Sequence, residues 1–283
     1  MRTLALLCLT AHACAWTGSA GAQLEIAPAI AAPQRLFFGE GRRISIAFHN
    51  PESHPVSTEI RTRTYQASSS TAALLHDNAW KTLEVLPGQT IVESTPLDFP
   101  AVRAETTFIV QWLEPSGRVI GREEVLVYPS SLLAELKPMA DGTPIGLMDP
   151  RNHLKPLLAG AHVEFEDFDK IGCEDFSGRL AIIGPFESAG QMPEDLPRRI
   201  KTMAARGVAV VWIQPPSADS DELRPSFYPV SVKHSTVMVA QAGLVADLEG
   251  DPQSQLNLTS LCRLALHPKK FALPELACSL TNE

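Results

Sequence analysis

Between residues 23 and 130 apolar and polar positions alternate with period two, which is the mark of strands with one buried face. Ile44, Ile46 and Phe48 alternate with Ser45, Ala47 and His49 until Asn50-Pro51 breaks the run. Val56, Thr58, Ile60, Thr62 and Thr64 continue in a β-branched strand ending near Tyr65, and the polar stretch 67–70 reads as a loop. Leu83 and Val85 lead into Pro87-Gly88, a turn signal. The clearest hairpin comes last: Phe108, Val110 and Trp112 share a face, Pro115-Ser116-Gly117 turns the chain, and Val125 and Val127 return it. Short strands separated by turn signals, with no helical period between them, predict a β-sandwich over 23–130.

The period changes after Tyr128-Pro129. Residues 131–143 read as a connector with a short helix over 132–139. An apolar strand over 144–148 ends at Asp149-Pro150, and a helix over 152–159 carries Leu154, Leu157 and Leu158. That helix tolerates Pro156 only if the proline falls in the first turn, and Gly160 is placed to stop it. Strands follow over 162–168 and 180–183, the second running into Gly184-Pro185. A helix over 193–206 buries Leu196, Ile200, Met203 and Ala204, opens on Pro193 and is capped by Gly207. The near-continuous apolar run 208–213 predicts a strand buried on both faces, with Trp212 in its core. Val237 to Ala240 read as a fifth strand, and Asp251-Pro252 opens a final helix burying Leu258, Leu261, Cys262 and Ala265. Strands alternating with helices predict an open, mostly parallel α/β sheet over 144–283. The expected architecture is two domains, β and then α/β.

Composition adds the compartment. One basic residue, Arg2, the apolar run Leu4 to Leu9 and the exit Ala20-Gly21-Ala22 read as a secretory signal cleaved before Gln23. That run is far short of the roughly 20 residues that span a bilayer, and no later stretch is long and uncharged enough. Cys14 is preceded by Ala11-His12-Ala13, a poor site for lipidation because His12 interrupts the apolar run. Cleavage leaves 23 basic against 32 acidic residues, a net charge of −9. With no Lys/Arg cluster, that balance argues against nucleic acid or anionic lipid as a partner. Three cysteines remain: Cys173, Cys262 and Cys278. Cys262 with Cys278 is the disulfide to expect, and the odd count leaves at least one thiol free, packed as a small hydrophobe.

In its strand–helix–strand pattern, Gly184-Pro185 and Gly207, the segment 144–266 resembles the flavodoxin-like domain of class I glutamine amidotransferases. It is also similar to the non-catalytic trimerization domain of some β-galactosidases. The N-terminal half looks like a bacterial immunoglobulin-like domain. The amidotransferase strand reads Gly-x-Pro-x-x-Gly-x-Cys, and the same stretch here is Gly207-Val208-Ala209-Val210-Val211-Trp212-Ile213-Gln214. Gln214 stands where the resemblance calls for the nucleophilic cysteine, and Trp212 where it calls for the glycine of the tight elbow. An amide cannot attack a carbonyl, and Pro215-Pro216 cannot supply oxyanion-hole N–H groups. The resemblance therefore implies the domain without its chemistry.

No G-x-S-x-G, P-loop, G-x-G-x-x-G or H-E-x-x-H motif occurs in the sequence. The acidic run Glu164, Glu166, Asp167, Asp169 lacks the glycine and terminal glutamate of a Ca²⁺ loop and reads as an exposed strand edge. Asn257-Leu258-Thr259 matches a glycosylation sequon inside a predicted helix. No catalytic residue, metal site or cofactor is expected. Open α/β sheets bind ligands beyond the C-terminal ends of their strands. Asp149, Arg151, Asn152, His153, Glu187, Ser188 and Gln214 are therefore the candidate ligand-binding residues. The competing reading makes Asp149 or Asn152 a helix cap and Arg151 a solvated ion-pair partner. Two functions fit: an exported non-enzymatic accessory protein whose partner is another envelope protein or a carbohydrate, or a secreted hydrolase or carbohydrate-active protein using Asp149, His153 and Glu187. A carboxylate pair about 5–10 Å apart in an open cleft would favour the second.

Overall fold

The computed structural model describes residues 24–27, 33–186, 188–215, 225–233 and 235–268, so the expected signal segment lies outside the described residues. The alternating N-terminal segment folds as two sheets. Strands β1 (Glu25–Ile26), β3 (Gly39–His49) and β6 (Thr90–Phe99) form one, in the order β1-β3-β6. Strands β2 (Gln34–Phe37), β4 (Val56–Ala67), β5 (Ala72–Val85), β7 (Thr106–Leu113) and β8 (Val119–Tyr128) form the other, in the order β2-β8-β7-β4-β5. All these pairings are antiparallel except β2 with β8. One core joins the sheets: Ile44, Ile46 and Phe48 from β3 pack with Ile60, Phe108, Val110, Trp112, Val125 and Val127. These are the residues whose alternation predicted the sandwich. The polar stretch 67–70 is the β4–β5 turn, as expected, but β5 runs back to Ala72, further than the two apolar residues Leu83 and Val85 revealed.

The α/β half is built on six strands: β9 (Ile145–Met148), β10 (Phe165–Asp167), β11 (Leu180–Ile183), β12 (Ala209–Gln214), β13 (Phe227–Val232) and β14 (Ser235–Gln241). Their order is β10-β9-β11-β12-β14-β13, parallel throughout except for the antiparallel edge strand β13. A 3-10 turn over Leu133–Glu135 runs into α1 (Leu136–Met139), followed by α2 (Leu154–Gly160), α3 (Phe168–Ile171), α4 (Leu196–Ala205) and α5 (Pro252–Leu266). Leu147, Ile182, Val211 and Met238 face α2 and α5 on one side. Met148, Ile183, Val210 and Val239 face α3 and α4 on the other. Burial on both faces is why these strands are continuously apolar.

Several expectations shift at their boundaries. Pro156 does fall in the first turn of α2. The left-handed residue after α2 is His162, φ 56°, rather than Gly160. The strand expected over 162–168 shortens to three residues, because Asp167 accepts from Asp169 N and starts α3 at Phe168. Helix α4 begins at Leu196 with Pro197 in its first turn, so Pro193 lies outside it. Edge strand β13 has no counterpart in the sequence reading, since Pro229 interrupts its pattern. Cys262 has no disulfide partner among the described residues and is buried in the α5 core, where burial pushes its pKa up to about 12. Its expected partner Cys278 lies outside the described residues. The sequon is consumed by the fold: Asn257 Nδ2 donates to Leu244 O, and Thr259 is buried.

The halves meet where β2 and β8 end. Phe37, Tyr128 and Leu132 cluster with Leu256 of α5, and Leu132 N donates to Gln255 Oε1 at 2.7 Å. Gln255 also donates to Leu248 O at 2.6 Å, so a buried amide ties the connector to α5 with its acceptor and one donor engaged.

Gly184 shows how tightly the strand ends are packed. Its φ is +96°, and a Cβ there would lie 2.5 Å from Ile213 O, a backbone atom that cannot yield. Gly184→Ala is expected to cost about 2 kcal/mol or more through strain and clash together. A urea-melt midpoint unchanged from the parent would contradict this.

Candidate functional site

Helix α2 starts immediately beyond β9 and needs partners for its first N–H groups. Asp149, 1% exposed, supplies them: Oδ1 accepts from His153 N at 3.2 Å, and Oδ2 accepts from Leu154 N at 2.7 Å and Lys155 N at 2.9 Å. The capping reading of Asp149 is thus the one realised. Asn152 sits in the turn at φ +55°, a conformation its short polar side chain tolerates. Arg151 and His153 are exposed, and the contact that places His153 is made by its backbone.

The structure brings a different set of charges to Asp149. Its N–H donates to Asp169 Oδ2 at 3.0 Å. Lys155 Nζ lies 2.8 Å from Asp169 Oδ2 and 3.0 Å from Asp167 Oδ1, with the Lys155 side chain only 16% exposed. Burial works to raise the Asp167 pKa, but hydrogen bonds from Lys155 and Lys170 outweigh it and hold the group below its usual range. Burial likewise pulls Lys155 down, and Asp169 and Asp167 together reverse that and raise it. Part of the acidic run read as an exposed edge is therefore a clamp joining α2 to β10 and α3. Sequence reasoning saw the carboxylates but not the lysine, which lies a dozen residues upstream and meets them only once β9 and β10 pair.

The remaining candidates do not converge on Asp149 among the described residues. Ser188 is exposed ahead of the 3-10 turn Ala189–Gln191. Gln214 is half-buried at the end of β12, in register with Gln241. Glu187 lies outside the described residues. Trp212, expected to be wholly buried, is half-buried near the end of β12, packed on the α4 side. Its indole Nε1 is shielded from solvent and has no hydrogen-bond partner among the described residues.

A cavity of about 180 Å³ lies elsewhere, between α4 and the segment leading to β11, lined by Cys173, Glu174, Arg198, Arg199, Thr202 and Arg206 among others. Cys173 is packed as a small hydrophobe, the role expected of the unpaired thiol. It is 2% exposed, and burial followed by Glu174 raises its pKa against the opposing pull of Arg199. The three arginines were not singled out by the sequence reading; 198, 199 and 206 look like ordinary solvated positions of an amphipathic helix.

No family model matches the chain, and no curated protein matches it. Among solved structures, it is similar to the alkylpurine DNA glycosylase AlkC of Pseudomonas fluorescens bound to DNA containing an abasic-site analogue. That likeness has a TM-score of 0.29 and 16% identity, covering 38% of this chain and 30% of the other. A β-glucosidase from Listeria innocua in complex with gluconolactone gives 0.27 and 14%, covering 38% and 16%. The GH3 β-glucosidase of Bifidobacterium adolescentis gives 0.26 and 8%, covering 37% and 17%. The chain spans less than a third of each of these structures, and likeness at these scores carries no functional argument. Among the described residues, no helix is long and apolar enough to cross a membrane.

Proposed function

We propose that this chain is an exported accessory protein that binds a partner and carries out no chemistry on it. One observation carries the reading: the buried carboxylate on the sheet rim, Asp149, is committed to three backbone N–H groups. A general base or nucleophile needs a lone pair free to reach substrate, and a general acid needs a proton it can hand over. Asp149 gives three of its roughly four acceptor sites to the start of α2 and is 1% exposed, which leaves little of it to meet a substrate. The thiol that could stand in for an amidotransferase nucleophile, Cys173, is buried and held protonated, whereas a reactive cysteine is exposed and has a lowered pKa.

The finer fold assignment belongs to the same proposal. The two sheets that share one core support an immunoglobulin-like sandwich. The order β10-β9-β11-β12-β14 supports a flavodoxin-like domain, with Gln214 at the strand end where amidotransferases carry cysteine. On this reading the partner is another envelope protein or a carbohydrate. Export rests on the sequence of residues 1–22.

Two measurements test the proposal. Protein recovered from the cell envelope is expected to begin at Gln23, and an intact Met1 in the cytoplasm would overturn export. Mature protein incubated with glutamine is expected to release no ammonia. Release that is abolished by a thiol-alkylating reagent and lost in Cys173→Ser would overturn the non-enzymatic reading.

A further inference from the structure

We propose that the cavity between α4 and the 172–176 segment is a binding site for a small tetrahedral oxyanion of the phosphate type. Three guanidinium groups, Arg198, Arg199 and Arg206, line it against one carboxylate, Glu174, in a chain whose net charge is −8. The carboxylates nearby, Glu174 and Asp195, offset this positive charge only in part. Arg199 is the best satisfied: its Nε meets Asp195 Oδ2 at 2.6 Å, and its Nη1 lies 3.5 Å from Glu174 Oε1. Arg206 donates to the backbone carbonyls of Glu174 and Cys173, which are neutral groups, and among the described residues its charge meets no carboxylate. Arg198 has an 82% exposed side chain and reaches Asp195 only at 3.8 Å.

The guanidinium fork matches the oxygens of phosphate better than an ammonium does, since parallel N–H donors can engage two of them at once. Arg206 spends two of its five N–H donors on the chain carbonyls of Glu174 and Cys173, which anchors it before any ligand arrives, reduces the ordering cost of binding and leaves its other donors for the anion. The cavity volume, about 180 Å³, lies below the usual range for drug-sized ligands and admits a small anion or the anionic end of a larger molecule. Cys173 adds no competing negative charge, because its thiol stays protonated. The site lies on the α4 flank of the sheet, so it stands or falls separately from the reading of the rim.

Calorimetric titration with inorganic phosphate tests it, with acetate and chloride at matched ionic strength as the other arms. Saturable phosphate binding, stronger than acetate and absent with chloride, is expected. Arg198→Gln should weaken that binding by roughly tenfold, the loss of one charge-assisted hydrogen bond. This exposed side chain can be changed without disturbing the core. Lys201→Gln removes the same charge from α4 outside the cavity lining and should leave the affinity unchanged. Phosphate heats indistinguishable from chloride would overturn the site. So would equal weakening by Arg198→Gln and Lys201→Gln, which would reduce it to a general charge effect.

Discussion

Trp112→Ala is expected to destabilise the sandwich by about 3–5 kcal/mol, enough to unfold a marginal domain. The indole is fully buried between the two sheets, and its Nε1 donates to Thr95 Oγ1 at 3.3 Å. Truncation therefore opens a cavity and also strands a hydroxyl that is itself 1% exposed. Trp112→Phe separates these effects, retaining most of the volume while losing the hydrogen bond, and should cost about 1–2 kcal/mol. Denaturant unfolding followed by circular dichroism measures both. If Trp112→Ala lost under about 1 kcal/mol, the two sheets would not pack on each other at this point. The second tryptophan on a strand of this kind, Trp212, should matter less, because it is already partly exposed and leaves a smaller void.

Asp149→Ala is expected to cost about 3 kcal/mol or more. Three N–H groups at the start of α2 lose a charged acceptor at once, and one of them, that of Leu154, is buried. The effect should spread beyond α2, since Lys155, positioned by that first turn, is the pair of Asp167 and Asp169. Asp149→Asn keeps one acceptor oxygen and should fall between parent and alanine. Urea unfolding ranks the three. Equal stability for Asp149→Ala and the parent would mean the carboxylate is spare after all, and would reopen its use on a ligand.

Much of the strand pattern and its buried faces is legible in the residue order, the edge strand β13 excepted. Alternation placed Ile44, Ile46, Phe48, Phe108, Val110 and Trp112 on one buried surface, because period two sends alternate side chains to opposite faces of a strand. The continuous run ending in Ile213 declared a strand covered on both sides, and Asp251-Pro252 declared the start of α5, whose carboxylate does cap Gln253 and Ser254. These signals are local, and local geometry realises them. The remaining features depend on how distant segments pack. Whether Asp149 faces a ligand or a helix start depends on the path of the 149–153 turn. Whether Asp167 and Asp169 form an exposed edge or a clamp depends on where β10 pairs with β9 and brings them to Lys155. Arg198, Arg199 and Arg206 become a cavity wall only because the segment after α3 folds back along α4. Such meetings join residues with no shared periodicity, and burial then sets their charges and protonation. Neither the distance nor the burial is written in the order of the residues.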